Sequence, residues 1–322
     1  MNSIELLPEE KTECFEMARK IIISAYVFPE TFCSQTKEFS QWYLSNKIKT
    51  LLSSPFDSLL FRNFPIEYIR KPPENTQHPL GENSILSKLQ AILLSYLGEI
   101  ITYEAEGGGN IFQDIIPVKD MEKQQTSIGS NIELEIHTEQ AFSHYRPDFL
   151  SLACLRSDPN AWTYILSIDV LLAHLSVEEI AVLQQPLWNI GVDLSFRLRG
   201  ETFLAGDIRG PIPILSLDPT RLESDPNNFF LCFDQDLMTG ITEEAQEMIS
   251  KIVGIYYEHR TAICLQPGDI LILNNRKVVH GRSAFSPKYD GTDRFLVRCF
   301  ATLDYPKSES VRKGRMVLAK YS

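Results

Sequence analysis

The amino-acid sequence predicts a mainly β protein with flanking helices, whose strands form a double-stranded β-helix, or jelly roll. Helical periodicity is concentrated in the first hundred residues, whereas short alternating or β-branched runs follow one another from residue 111 onward. No linker-like composition divides the 322 residues. We therefore expect a single domain, 1–322, with a helical part of about residues 1–100 packed on a jelly-roll core of about residues 101–305.

Four helices are predicted from the residues that begin them. Pro8 opens one and Ser84 precedes another, and apolar residues follow each at helical spacing. Ser176 and Glu179 form a capping box before a short helix, while Thr242 precedes a longer helix that extends through residue 257. The first two helices belong to the helical part, and the other two interrupt the strands.

Short strand-like runs follow the Gly-rich break at residues 106–110. They are rich in β-branched and aromatic residues and are separated by turn-forming residues, as in a sandwich or barrel. Ligands and substrate contacts are expected from strands near the open mouth of such a barrel. The predicted strands cover residues 111–118, 149–155, 163–168, 202–205, 229–233, 270–273 and 295–303.

Charge and cysteine usage exclude several classes of function. The net charge is −11 and no long basic block occurs, which argues against nucleic acid or an anionic membrane as a partner. No uninterrupted apolar run has the length of a membrane span, and the N-terminus lacks a secretory signal pattern. The six cysteines show no C-x-x-C spacing and are expected to be mostly buried, reduced thiols. These features predict a cytoplasmic enzyme.

The candidate metal ligands are His137, Glu139 and His280. Two imidazoles and one carboxylate are the ligands of the facial triad that binds non-haem Fe(II) and leaves one face of the ion open. Residues two apart on an extended strand point to the same side, so His137 and Glu139 can reach one metal ion. His280 lies far downstream, and Gly281 beside it permits close packing. His144 is a rival ligand, but we expect it to lie in a loop beyond the strand.

Arg294 and Arg298 share one face of the predicted last strand with Leu296. A buried guanidinium is costly unless it meets an anion, so two inward arginines indicate two anionic partners. A bidentate Arg suits the distal carboxylate of 2-oxoglutarate, and the other Arg suits a substrate carboxylate. The alternative is that one of the two arginines is structural.

Asp234 and Asp236 lie two residues apart, directly after a predicted apolar strand. In a binding site such a pair would bind a cation, either an ammonium or a guanidinium group. A D-x-D sequence in a loop is equally often a turn or a solvated pair. The residues alone leave both interpretations open.

Several segments together resemble the clavaminate synthase-like family of Fe(II)/2-oxoglutarate-dependent dioxygenases. Its nearest branch contains hydroxylases of free amino acids, namely arginine β-hydroxylases and lysine 3- and 4-hydroxylases. The resemblance covers roughly residues 100–305 and is weak in the N-terminal helices. The matching segments are residues 137–143 (HTEQAFS), 146–149 (RPDF), 152–156 (LACLR), 280–285 (HGRSAF) and 294–298 (RFLVR).

For the cofactors, the resemblance implies Fe(II), with 2-oxoglutarate and O₂ as co-substrates. His137, Glu139 and His280 would bind the iron. Arg294 would bind 2-oxoglutarate, assisted by the hydroxyl group of Thr163. Oxidative decarboxylation would yield succinate and CO₂ and would be coupled to hydroxylation of the substrate.

For the substrate, the resemblance implies a free basic amino acid that is stretched between two anchors. Arg298 would bind the α-carboxylate. Asp234 and Asp236 match the acidic pair that receives the guanidinium group in the arginine enzymes. Glu106 or Gln113 is expected to contact the α-amino group.

The predicted function is therefore hydroxylation of free L-lysine, because the compact chain resembles the lysine branch. The favoured position is C4. L-Arginine β-hydroxylation and L-lysine 3-hydroxylation are alternatives with the same chemistry, since both cations suit carboxylates. A catalytically silent jelly-roll binding protein is the alternative from another class. The intact triad and Arg294 argue against it.

Overall fold

A computed structural model describes residues 2–67, 80–193, 196, 207–219 and 228–318. Four helices precede most of the strands, and three more lie among them. The helices are α1 Pro8–Arg19, α2 Pro29–Trp42, α3 Asn46–Ser53, α4 Ile85–Leu97, α5 Ile168–Leu172, α6 Val177–Leu183 and α7 Glu243–His259.

The strands are mostly short and extend from the N-terminus to the last described residues. In chain order they are β1 Asn2–Glu5, β2 Ser58–Arg62, β3 Glu99–Tyr103, β4 Gln113–Ile115, β5 Leu134–His137, β6 Phe149–Arg156, β7 Thr163–Ser167, β8 Trp188–Gly191, β9 Ile208–Ile212, β10 Leu215–Leu217, β11 Phe229–Leu231, β12 Met238–Gly240, β13 Thr261–Ile263, β14 Ile270–Asn274, β15 Val278–Arg282, β16 Phe295–Thr302, β17 Arg312–Lys313 and β18 Met316–Val317.

The largest sheet has nine strands in the order β1-β2-β14-β6-β16-β3-β18-β17, and β4 also pairs with β16. In its centre, β14 and β16 each pair antiparallel with β6, which lies between them. Because side chains alternate along a strand, Ile270 and Ile272 pack against helices α1 to α4 on one face. Leu271 and Leu273 pack on the opposite face. Both faces of this sheet are therefore covered.

A four-stranded sheet, in the order β13-β7-β15-β5, lies opposite the large sheet. One buried cluster contains Leu150 and Leu152 of β6 together with Ile165 of β7 and Val278 of β15. The two sheets therefore pack face to face. The site described below lies between them.

The outer face of the four-stranded sheet packs on a third cluster. Leu166 and Val279 contact this cluster, which includes residues of α5, α7 and the three-stranded sheet β12-β8-β9. The buried indole of Trp188 donates a hydrogen bond from Nε1 to the carbonyl of Ala245, at 2.9 Å, and so joins β8 to α7.

All four predicted helix starts are confirmed. Helix α1 begins at Pro8. The Ser84 hydroxyl accepts the amide of Ser87, and Thr242 caps α7 in the same way. Ser176 and Glu179 form the expected capping box.

The strand predictions are confirmed in most of the β-rich part, with differences of extent. The runs at residues 111–118 and 229–233 are shortened to Gln113–Ile115 and Phe229–Leu231. The run at residues 202–205 lies outside the described residues. The mainly helical expectation for residues 1–100 missed the strands Asn2–Glu5 and Ser58–Arg62. The latter is buried along most of its length, so it lacks the alternation that identifies a half-buried strand.

In the described part of the chain, no helix combines the length and the apolar character needed to cross a membrane. The six cysteines are free thiols. Five of them are buried and Cys264 is partly exposed, as expected for structural thiols.

Candidate active site

His137, Glu139 and His280 meet at one edge of the four-stranded sheet. Strands β5 and β15 pair so that His137 lies opposite His280, with ring centroids 4.5 Å apart. Their candidate ligand atoms and a carboxylate oxygen of Glu139 all lie within 4.8 Å of one another. Among the described residues, no other three His, Cys, Asp or Glu side chains converge in this way. His144 is exposed in a turn, as expected.

The placement of Glu139 corrects one expectation. Strand β5 ends at His137, so Glu139 lies in the following turn rather than on the same strand. Asn275 fixes this turn: its Oδ1 accepts the amide of Glu139 at 2.8 Å, and its Nδ2 donates to the carbonyl of Glu139 at 3.0 Å. The sequence analysis did not assign Asn275 a role. The amide pair at residues 274–275, after a buried strand, was the available indication.

The protonation states at the triad fit a divalent metal ion. Nδ1 of His137 donates to the carbonyl of Glu135 at 2.8 Å, which leaves Nε2 free to bind a metal ion. Burial, and then the neighbouring His280, lower the pKa of His137. Burial raises the pKa of Glu139, but Arg298 and the two imidazoles outweigh it and lower that pKa to about 2. A neutral imidazole and an ionised carboxylate are the forms that bind Fe(II).

Arg298 is buried at the centre of a polar network. It donates to Oε1 of Glu139 at 3.1 Å, to Oε1 of Glu106 at 2.6 Å and, through Nε, to Oε1 of Gln113 at 3.0 Å. Burial raises the pKa of Glu106 to about 7, although Arg298 opposes that shift. Glu106 and Gln113, the two candidates for the α-amino contact, therefore both accept from the same guanidinium.

Arg294 directly precedes β16 and lines the same cavity as Leu296 and Arg298, but its environment differs from that of Arg298. Its guanidinium is buried and donates to Oγ1 of Thr163 at 3.4 Å. No carboxylate among the described residues lies within ion-pair distance of it. Burial is the first cause of the lowered pKa of Arg294, as expected for a buried cation that has no counterion among the described residues. The structure thus brings the predicted pair Arg294 and Thr163 together.

Asp234 and Asp236 differ in exposure. Asp234 is buried and lies beside His137, to which it is joined by an isolated β-bridge. Asp236 is exposed. Burial raises the pKa of Asp234 to about 7, with His137 opposing the shift.

One cavity of about 560 Å³ connects these residues. Its lining includes the triad, Thr163, Gln113, Arg282, Arg294 and Arg298. Arg282 is bonded to backbone carbonyls, including that of Gly129 at 2.7 Å. Carboxylates outnumber these arginines, so the cavity favours a cationic ligand. The lining carboxylates are Glu106, Asp114, Glu135, Glu139, Asp193, Asp234 and Asp236.

Three of these carboxylates, Asp114, Glu135 and Asp193, were missed in the sequence. Glu135 precedes His137 on an alternating strand, where it could have been placed on the side of the ligands. Asp193 stands alone in an ordinary run, Gly-Val-Asp-Leu, which carries no motif. The sequence offers no indication for Asp193.

Fold and site together define the class of the protein. Two imidazoles and a carboxylate converge at one edge of a sheet, in a cavity that also contains the buried Arg294, which has no counterion among the described residues. Such a donor set leaves coordination positions of the metal open to small molecules. The protein is a non-haem Fe(II) oxygenase.

Comparison with known proteins agrees with this class. Residues 209–300 match the family model described as taurine catabolism dioxygenase TauD, TfdA family. The chain is 46% identical over 267 residues to an L-lysine 3-hydroxylase of Catenulispora acidiphila, covering 82% of this chain and 73% of the relative. It is 32% identical over 266 residues to an L-asparagine oxygenase of Streptomyces coelicolor, covering 81% and 75% of the two chains.

A solved structure extends the similarity to nearly the whole chain. Asparagine oxygenase in complex with Fe(II), 2S,3S-3-hydroxyasparagine and succinate superposes with a TM-score of 0.87 at 26% identity, over 99% of each chain. The chain therefore belongs to the clavaminate synthase-like family of Fe(II)/2-oxoglutarate-dependent dioxygenases, among the amino-acid hydroxylases. When bound, the iron activates O₂ at the expense of 2-oxoglutarate, which is converted to succinate and CO₂.

Proposed function

We propose that this protein hydroxylates free L-lysine at C3. The observation that carries the proposal is the charge of the cavity lining, in which Arg298 contacts the triad residue Glu139 and further carboxylates include Asp234 and Asp236. The similarity to an L-lysine 3-hydroxylase supports lysine, and it favours C3 over the C4 position that the sequence analysis favoured. The facing sheets would be the walls of the jelly roll in a single domain.

Arg294 and Thr163 would bind the distal carboxylate of 2-oxoglutarate. The support is the buried guanidinium of Arg294, which has no counterion among the described residues and hydrogen bonds to the Thr163 hydroxyl. A carboxylate would supply both the missing charge and a planar bidentate acceptor. The negative charge of 2-oxoglutarate would therefore be recognised because it compensates the buried positive charge of Arg294.

The amino acid would lie between two anchors. Arg298 would bind the α-carboxylate, and Glu106 with Gln113 would complete this end. Asp234 and Asp236 would receive the side-chain ammonium group, aided by Asp193, which lines the same cavity. With both ends of the substrate fixed, the distance between the anchors selects the carbon that faces the iron.

A competition assay tests the choice of substrate. The enzyme is incubated with Fe(II), 2-oxoglutarate and equal concentrations of lysine, arginine, ornithine, asparagine and norleucine. Mass spectrometry then counts the products that have gained one oxygen atom. We expect hydroxylysine to dominate and norleucine, which lacks the ammonium group, to remain nearly unmodified. Dominance of arginine or asparagine would contradict the proposal.

The acidic pair is tested by Asp234→Asn combined with Asp236→Asn. Without the carboxylates, the preference for lysine over norleucine should fall by about tenfold or more, since a hydrogen bond to a charged group contributes about 1.5–3 kcal/mol. Asp120→Asn, at a residue outside the cavity lining, is the matched control and should keep the preference. An unchanged preference in the double variant would show that the cation is recognised elsewhere.

A further inference from the structure

Gln140 follows the metal ligand Glu139 directly and has an unusual backbone conformation. Its φ angle is +53°, in the left-handed region that residues other than glycine adopt rarely. The side chain is buried and lines the active-site cavity. Backbone strain of this kind persists where surrounding structure imposes it, and it clusters at ligand-binding sites.

The Gln140 amide has one satisfied end and one unsatisfied end. Nε2 donates to Oε2 of Glu106 at 2.6 Å, and the other oxygen of that carboxylate accepts from Arg298. A carboxylate accepts hydrogen bonds, so this contact fixes which end of the amide is nitrogen. Oε1 of Gln140 is buried and has no hydrogen-bond partner among the described residues. A buried acceptor in this state is costly unless a ligand satisfies it.

The amide of Gln113, which also contacts Arg298, has the opposite polarity. Its Oε1 accepts from Arg298, and its buried Nε2 lacks a partner among the described residues. The cavity therefore presents an unpaired donor at Gln113 and an unpaired acceptor at Gln140. That arrangement is complementary to a carboxylate and an ammonium group on one carbon atom.

We propose that Oε1 of Gln140 accepts a hydrogen bond from the α-ammonium group of the amino-acid substrate, while its Nε2 orients Glu106 beside the same group. Gln140 is then a specificity-determining residue that selects free α-amino acids over molecules lacking the α-amino group. This inference rests on the proposed function, because it takes the substrate to be a free amino acid. The left-handed backbone at residue 140 directs the side chain to this position.

Gln140→Asn separates this role from a structural one. Asparagine adopts the left-handed region more readily than glutamine, so the variant should fold with an unchanged or raised Tm. Its side chain is one methylene shorter, so the amide no longer reaches Glu106 and the substrate together. Gln35→Asn is the matched control, since Gln35 also has a buried unpaired oxygen but does not line the cavity.

The measurement is calorimetric binding under anaerobic conditions to each enzyme loaded with Fe(II) and 2-oxoglutarate. The ligands are lysine and 6-aminohexanoate, which is lysine without its α-amino group. In Gln140→Asn, the preference for lysine over 6-aminohexanoate should fall about 10- to 100-fold, the loss expected for a hydrogen bond to a charged group. Gln35→Asn should leave the preference unchanged.

A fall of less than about tenfold in that preference, including an equal loss for both ligands, would overturn the role of Gln140. Failure of the wild-type enzyme to bind lysine would instead contradict the proposed substrate. The amino acid selected in the competition assay and its counterpart without the α-amino group then replace the lysine pair, and the same criterion applies to Gln140.

Discussion

Arg294 and Arg298 are both buried and line the same cavity, yet their removal should have opposite effects on stability. Arg298 is paired with Glu106 and Glu139, at 2.6 and 3.1 Å. Arg294 makes a 3.4 Å hydrogen bond to Thr163 and has no carboxylate partner among the described residues. Methionine matches the aliphatic part of either side chain without its charge. Arg294→Met and Arg298→Met therefore form a direct comparison.

The expected magnitudes follow from the cost of buried charge. An unpaired buried ion costs several kcal/mol, so Arg294→Met should raise the free energy of unfolding of the ligand-free protein by about 1–3 kcal/mol. Arg298→Met leaves two buried carboxylates without their cation and should lower that free energy by about 3–5 kcal/mol. For 322 residues, each kcal/mol shifts Tm by roughly 1.5 °C. The changes in Tm are then about +2 to +4 °C and about −4 to −8 °C.

The affinity for 2-oxoglutarate should fall in Arg294→Met, although the same variant should be more stable than the wild type. Arg294→Met should weaken this binding by about ten- to a hundredfold, because a charge-assisted contact contributes about 1.5–3 kcal/mol. Arg298→Met should act mainly on the amino acid. Scanning calorimetry of the metal-free variants and anaerobic titration with 2-oxoglutarate measure the two quantities. Destabilisation of the ligand-free protein by Arg294→Met, with 2-oxoglutarate affinity retained, would refute this account of Arg294.

Three further predictions concern the metal, the thiols and a buried acid. His137→Ala should abolish turnover and reduce the iron retained after dialysis, and wild-type activity in this variant would remove the triad assignment. Iodoacetamide should modify the native protein at Cys264 alone, because the other five thiols are buried. Burial also raises the pKa of the Cys154 thiol to about 12. A second adduct detected by mass spectrometry would contradict this prediction. Burial, and then Asp169, raise the pKa of Asp57 from 3.8 to about 6. The Asp57 carboxyl group therefore binds its proton more tightly in the folded protein than in the unfolded chain. As a result, the protein loses stability as the pH rises from about 3.8 to about 6. Asp57→Asn should therefore increase Tm more at about pH 7.5 than at about pH 5, and an equal gain at both would be inconsistent with the raised pKa.

Residues whose chemistry restricts their type could be predicted from the sequence. Fe(II) accepts few donor sets, so His137, Glu139 and His280 were identifiable before their contacts were known. Strand alternation predicted that Arg294 and Arg298 share a face, and both line the same cavity, although β16 begins only at Phe295. These predictions needed only local periodicity and the properties of the side chains.

Residues that act through tertiary contacts could not be predicted in this way. Asn275 binds the backbone of Glu139, which lies 136 positions away, and an asparagine after a strand has many other uses. Gln140 likewise donates a hydrogen bond to Glu106, which lies 34 positions earlier in the chain. The fold shows the same division. Strand β14 follows a Pro-Gly-Asp turn within the β-rich part and was predicted, whereas β2 lies in the part of the chain whose periodicity is mainly helical and was missed.

The central claim is tested most directly by the product formed from lysine alone. The enzyme is incubated with Fe(II), 2-oxoglutarate, O₂ and L-lysine, succinate is quantified, and the position of the new hydroxyl group is determined by NMR. We predict one succinate for each lysine converted, with the hydroxyl group at C3. Consumption of 2-oxoglutarate with lysine recovered unchanged, or a hydroxyl group at another carbon, would contradict the account.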